Sequence, residues 1–459
     1  MWRPTLNKTF DGNNGFSLNV SIPDVSGSIL AVREGEFVIG GTSGKHNATY
    51  VEQGNLWALS LEPGHEGELL WDITYTPPET ILVDGFSYSS RQPMRGPFVD
   101  PEDGIFHFWE GARHRRWGYS LETGELLWAA EPEPAMAMYG FSSAVYQGKL
   151  LSGGYSGELI AYNITTGKVL WTYTAGQEGY ESPYGNYPIV ISCIADGKIY
   201  LVSGEHSATQ PLWRGSYLRC IDADTGEELW KILHWGGAQV AGWDIGPDGM
   251  VVIADGYLVG ENAYDNRIYC YGKGPSSTTV TASPKFIAAG SSVVIEGTVT
   301  DESPGTKQLS QEARFPNGVP AIADEYQEDW MEYVYMQQPC PTYYEGVDVK
   351  LEVLDPNGNF YEIDTVKSDG SGMFKKMWTP DVEGEYTVIA TFEGSKAYYR
   401  SYAETAIGVG PAVTPTTPIE PEEPTAEAPF ITTEIAILIA VVVAVVIGIV
   451  AFWALRKRK

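Results

Sequence analysis

The chain is poor in cysteine, histidine and basic side chains. Four Cys in 459 residues cannot build the dense disulfide framework of a small secreted scaffold. The six His (His46, His65, His107, His114, His206 and His234) contain no pair at metal-ligand spacing. Lys and Arg number 30 against 59 Asp and Glu, a formal charge of −29, and this excludes nucleic acid, whose phosphates require clustered cations. No G-x-S-x-G nucleophile motif occurs. Charged residues make up 19% and aromatics 12%, which excludes a disordered chain. What is plentiful is glycine, 51 residues, with 28 Tyr and 14 Trp, the composition of many short strands joined by tight turns. The length suits two or three domains.

Long apolar runs are also scarce, with one exception. Ile435 to Leu455 is a 21-residue stretch without a charge. As a helix it would span about 31 Å, the thickness of a bilayer's hydrocarbon core. Glu434 precedes it, and Arg456-Lys457-Arg458-Lys459 follow as a basic tail. The positive-inside rule puts residues 456–459 in the cytoplasm and everything before the helix outside. Residues 411–430 hold six Pro among Thr and Glu and read as an extended stalk. The outer part then carries 59 acidic against 26 basic residues. At the other end, Met1-Trp2-Arg3-Pro4 opens into polar sequence with no apolar leader, so we expect this chain to begin inside a longer gene product.

A repeat fills residues 1–274. Gly67, Gly124, Gly167 and Gly226 each stand four residues before a Trp, at Trp71, Trp128, Trp171 and Trp230. A strand-like run precedes each Gly, and two further short strands precede that run. The Trp spacings of 57, 43 and 59 residues fit four-stranded units with loops of varying length. A fifth unit, Met250 to Tyr271, lacks its Trp strand, and Gly15 to Val20 offers a strand that would complete it.

The unit resembles the PQQ-like, quinoprotein-type β-propeller repeat with its A-x-D-x-x-T-G-x-x-x-W signature. The likeness is strongest at Ala161 to Trp171 and Cys220 to Trp230. It implies that each Trp docks on the next blade near its Gly. Rings of this family usually have seven or eight blades, which favours a chain that begins upstream over a five-blade ring closed by the N-terminal strand. Cys220 and Cys270 fall at equivalent places in neighbouring units and read as small buried thiols. Asp222-Ala-Asp224 reads as the ordinary turn of the repeat rather than a calcium loop. Arg113-His114-Arg115-Arg116, the one basic cluster, reads as an exposed strand edge guarded by charge, with an anionic-partner site as the alternative.

From Thr278 the pattern changes to alternating strands with turns at Asp355-Pro-Asn-Gly358 and Asp369-Gly370, which fits an Ig-like β-sandwich over residues 275–410. An insertion covers about 302–345, in which Ile322, Tyr326, Trp330 and Val334 predict one amphipathic helix from Val319 to Gln338. The expected fold is therefore all-β: a propeller of four-stranded blades, a sandwich, and one C-terminal transmembrane helix.

Quinoprotein enzymes hold PQQ with Ca²⁺, often beside an adjacent Cys-Cys pair. This chain has no such pair, and no motif maps the Glu, Asn and Asp ligands, so no catalytic, cofactor or metal residue is assigned and no cofactor is expected. The loops leaving each Trp strand are aromatic. Arg91, Arg95, Tyr139, Tyr184, Tyr187, His234, Trp235 and Trp243 form a candidate funnel for a flat or sugar-like ligand, or else pack the loops. Asn7, Asn19, Asn47 and Asn163 lie in N-x-S/T sequons. The leading expectation is a non-catalytic binding or scaffold protein of the cell envelope, anchored in the membrane, resembling archaeal cell-surface proteins, with a glycan or envelope protein as partner. A membrane-tethered quinoprotein oxidoreductase and a surface-layer or adhesion component are the alternatives.

Overall fold

The computed structural model describes residues 20–80, 94–110, 113–133, 141–154, 156–176, 186–203, 216–236, 251–412 and 433–457. Four antiparallel sheets of four strands follow one another along the chain. The first holds Ser28–Arg33, Phe37–Thr42, Gly54–Ser60 and Leu69–Tyr75; a small hairpin, Lys45–Asn47 with Tyr50–Glu52, is inserted between its second and third strands. The second holds Met94–Asp100, Ile105–Glu110, Arg115–Ser120 and Leu126–Ala129. The third holds Phe141–Tyr146, Lys149–Gly154, Glu158–Asn163 and Val169–Thr174, and the fourth Ile189–Ala195, Lys198–Ser203, Tyr217–Asp222 and Glu228–Leu233. The fifth has three strands, Val252–Ala254, Tyr257–Asn262 and Arg267–Tyr271. Among the described residues no strand pairing joins the first sheet to the fifth. Gly15 to Asn19, the segment expected to complete the fifth unit, lies outside the described residues.

The alternation of the two middle strands explains the layering. They are buried almost throughout, as in Ile105–Glu110, because both of their faces meet neighbouring sheets. The fourth strands are half-exposed, as in Val169–Thr174. The third-to-fourth turn is built by a polar side chain. Asp222 Oδ1 accepts the N–H groups of Asp224 and Thr225 at 2.9 and 2.8 Å, and Asn163 Oδ1 accepts those of Thr165 and Thr166 at 3.1 and 2.9 Å.

The same irregularity recurs where the fourth strand begins. Trp71 pairs with Ala58, Trp128 with Gly118, Trp171 with Ala161 and Trp230 with Cys220; after each pair the register shifts by one residue. The extra residue is the Leu before each Trp: Leu70, Leu127, Leu170 and Leu229, all exposed. A β-bulge re-aims the next side chain. Here that side chain is the indole, and the residue across from it is small, because the ring lies over it. A Cβ on Gly118 would stand 2.0 Å from Trp128.

Beyond residue 275 two sheets share one core. One centres on Val293–Asp301, flanked by Ser276–Thr278, Thr281–Ser283, Val319–Pro320 and Met373–Trp378. The other runs Phe286–Ala288, Ser401–Gly410, Gly384–Phe392, Asp348–Leu354, Phe360–Lys367. Val293, Ile295 and Phe374 of the first meet Val349, Leu351, Val388 and Ile407 of the second, all buried.

The insertion is not the single long helix that its periodicity predicts. It contains a 3-10 turn at Pro304–Lys307, a helix at Leu309–Arg314, the short strand Val319–Pro320, a second 3-10 turn at Asp324–Tyr326, and the helix Gln327–Tyr335. Strand pairing of Val319 and Pro320 with Asp301 and Thr300 outweighs helix propensity there. Trp330 and Val334 are buried against Val319 and Ile322, as the spacing requires. A last helix, Thr433–Arg456, is long and apolar enough to cross a membrane, and none of its most apolar window is buried in the protein.

Candidate functional site

The seams between successive sheets concentrate the unusual chemistry. At two of them a Trp ring closes on a Gly of the following sheet. Gly167, at φ +67°, would place a Cβ 2.5 Å from Trp128, and Gly226, at φ +76°, would place one 2.6 Å from Trp171. Trp128 also donates its indole N–H to the Ile164 carbonyl at 2.9 Å. The other seams depart from this form. Gly124 faces Thr74 and Tyr75 rather than Trp71, and Gly67 faces Val20, Ser21 and Ile22. Among the described residues no glycine lies against Trp230. It packs between Tyr200 and Tyr271, with ring centroids 6.0 and 6.5 Å away.

Buried charges cross the same seams. Arg116 is fully buried; its Nε donates to Glu133 at 2.8 Å and its two other nitrogens to Ser143 and Ser152 of the third sheet at 3.1 and 2.7 Å. Tyr162 donates to the same Glu133 oxygen at 3.3 Å. The basic cluster is thus not an exposed, charge-guarded edge. Arg115–Ser120 is an interior strand of its sheet, and strand alternation turns Arg116 inward. Arg219, 1% exposed, reaches Glu228 at 2.8 Å and the Tyr173 hydroxyl at 3.0 Å, beneath the rings of Tyr187 and Tyr217. Inner strands are stitched by serine: Ser142 Oγ accepts the Ile191 N–H at 3.0 Å, and Ser192 Oγ accepts the Val251 N–H at 2.9 Å.

Two histidines sit in this interior uncharged. Burial pushes His107 down to about 3, with the Arg116 charge adding to the effect, and pushes His234 down to about 4. Among the described residues, both ring nitrogens of His234 and the Ser216 hydroxyl have no hydrogen-bond partner. Asn262 holds this corner, accepting from the Trp235 N–H at 3.2 Å and donating to the Leu233 carbonyl at 3.0 Å.

The eight funnel candidates divide unevenly. Arg91, Tyr139, Tyr184 and Trp243 lie outside the described residues. Tyr187 is fully buried in the core between the third and fourth sheets, against Tyr217. Arg95 is half-buried in the first strand of the second sheet, and burial lowers its pKa. His234 and Trp235 are neighbours at the boundary of the fourth and fifth sheets, with Trp235 against Tyr264 at 5.9 Å. Of the sequons, Asn7 and Asn19 are outside the described residues; Asn47 and Asn163 both sit in turns, where each side-chain oxygen accepts from the following Thr. The cysteines are all free, but only Cys220 is buried. Cys270 is exposed, on the outermost described strand of the fifth sheet.

The helix Gln327–Tyr335 reaches the fourth sheet through two carboxylates. Glu328 accepts the backbone N–H of Lys231 at 3.0 Å, and Glu332 that of Leu233 at 2.7 Å. Met331 and Met336 pack into the cluster of Val190, Leu218 and Leu258, and the Tyr269 hydroxyl lies 3.4 Å from the Tyr335 carbonyl. The helix thus covers the outer edge strand of the fourth sheet. The spacing Glu328, Glu332 was the available signal, since residues four apart share a helix face.

Residues 117–242 match the family model described as outer membrane protein assembly factor BamB. A quinoprotein ethanol dehydrogenase of Pseudomonas putida is 27% identical over 158 residues, 32% of this chain and 25% of that protein; its counterpart from Pseudomonas aeruginosa is 25% identical over the same length. The chain spans about a quarter of the length of these curated relatives. Among solved structures, BamB from Moraxella catarrhalis aligns with 79% of this chain and 97% of its own at 10% identity and a TM-score of 0.29. The computationally designed Ika4 protein aligns with 38% and 87% at 13% identity and a TM-score of 0.24. Over residues 117–242, then, the part of this chain that carries Trp128, Trp171 and Trp230 is similar to the repeat family described as outer membrane protein assembly factor BamB.

Proposed function

We propose that this protein is a membrane-tethered, non-catalytic scaffold or binding protein of the cell envelope. In this reading, the propeller sheets and an Ig-like module stand outside on the Pro-rich stalk, and the basic tail lies inside. The observation that carries it is the use of the buried charges. Arg116 of the second sheet bonds Ser143 and Ser152 of the third, and Arg219 of the fourth bonds Tyr173 of the third, so the polar interior serves cohesion. The aromatic loops would then meet a glycan or an envelope protein, and the surface-layer or adhesion role is a variant of the same idea.

The similarity to quinoprotein ethanol dehydrogenases over 158 residues favours a second reading, a tethered oxidoreductase. Among the described residues no three His, Cys, Asp or Glu side chains converge to hold a metal ion.

Titrating the full-length protein in nanodiscs with PQQ and Ca²⁺ tests both readings. The scaffold reading expects no saturable binding and no alcohol-dependent dye reduction; the two together would overturn it. Deleting Thr433–Arg456 should move the protein from the membrane pellet to the soluble fraction.

A further inference from the structure

The first hairpins of three successive sheets meet around a cavity of about 280 Å³. Val32, Arg33 and Phe37 come from the first sheet, Asp100 and Asp103 from the second, and Val145 from the third. Asp100 is 8% exposed, and its Oδ1 accepts the Glu102 backbone N–H at 3.1 Å. Its Oδ2 is buried with no hydrogen-bond donor on it among the described residues, and burial together with the neighbouring Asp103 carboxyl raises the Asp100 pKa. A desolvated carboxylate oxygen left unpaired is costly, and a charged donor entering the cavity would remove that cost.

The one cation in the wall is not that donor. The Arg33 guanidinium bonds Glu36 at 3.4 Å and Glu102 at 3.1 Å and lies 5.3 Å from the Phe37 ring centroid. The lining therefore keeps an excess of negative charge, which rejects an anion. It also presents apolar surface, with Val32 61% and Val145 38% exposed. Among the described residues no metal-binding group of three ligands forms. A cation with several donors and an apolar stem satisfies all of these conditions.

We propose that this cavity binds a primary ammonium group on an aliphatic stem, anchored by Asp100. A free aliphatic diamine and the lysine side chain of a partner protein share this chemistry. The site stands apart from the scaffold reading and would survive its failure.

Calorimetric titration of the full-length protein in nanodiscs, at pH 7 and low ionic strength, provides the test. The probes are cadaverine and the peptide Gly-Lys-Gly, with its Nε-acetylated form as the neutral control. The expected result is saturable one-to-one binding of the charged probes only, weakened at least ten-fold in Asp100→Asn. That variant keeps the oxygen that accepts the Glu102 N–H, and an unchanged circular dichroism spectrum will show that it folds. Val145→Trp, at an exposed position, should block the cavity without touching the carboxylate. Whichever probe binds more tightly names the source. No saturable binding of either probe, equal binding of the acetylated peptide, or unchanged affinity in both variants overturns the proposal.

Discussion

Trp171 lies so close over Gly226 that a methyl group on that glycine would stand 2.6 Å from its ring. Gly256 has a similar backbone, φ +79° against +76°, but open space around it. The pair separates two costs that usually occur together. Gly256→Ala should lose only the left-handed backbone penalty, about 1–2 kcal/mol. Gly226→Ala should lose that and a further overpacking cost of about 1–3 kcal/mol. Denaturant unfolding of both variants will check it; equal losses would mean that the indole is not held against the glycine.

The Arg116–Glu133 pair should behave as a buried ion pair. Arg116→Met leaves Glu133 without its cation in a fully buried setting and should cost about 3–5 kcal/mol. Adding Glu133→Gln should recover part of that loss. A double-mutant cycle measures the coupling, and strict additivity would argue against it.

Glu328 and Glu332 hold the helix to the fourth sheet, and burial raises both carboxyl pKa values. The native state therefore keeps these protons to higher pH than the unfolded chain does. Between the ordinary glutamate value of 4.5 and the raised one, the folded form binds more protons, so this contribution to stability falls as pH rises. The double variant Glu328→Gln, Glu332→Gln should flatten that slope in unfolding curves taken from pH 4.5 upward.

His107 and His234 act in the opposite sense. Their folded values, about 3 and about 4, lie below the ordinary 6.5, so the unfolded chain takes up protons first. Their contribution is fully present above pH 6.5 and is lost as pH falls towards those values. His234→Gln should reduce acid destabilisation between pH 6.5 and 4. An unchanged acid limb would show that other groups dominate it.

The repeat was legible because its parts are local. Ala161, Gly167 and Trp171 lie within eleven residues, and the turn between them is made by Asn163 and Thr166. The small residue across from each Trp was visible as a position, but its reason was not. The bulge at Leu70, Leu127, Leu170 and Leu229 exists only in strand pairing. Four basic letters in a row suggested an edge, because Arg116 finds its partners 17, 27 and 36 residues away, on the far side of a turn and in the next sheet. Helical spacing in the insertion was real around Trp330, yet it ran on into a segment that pairs as a strand. The cavity at Asp100 was illegible, since three hairpins widely separated in sequence build it.

The helix Gln327–Tyr335 has a wider consequence. Units that stack side by side can go on adding units, and an uncovered last strand invites the wrong neighbour, including another molecule. By laying carboxylates on the backbone of Lys231 and Leu233, the helix covers the outer edge strand of the fourth sheet, which would otherwise stay open to a second molecule. Solubility of the assembled repeats would then depend on a segment borrowed from the following domain, and the two halves of the protein would have to mature together.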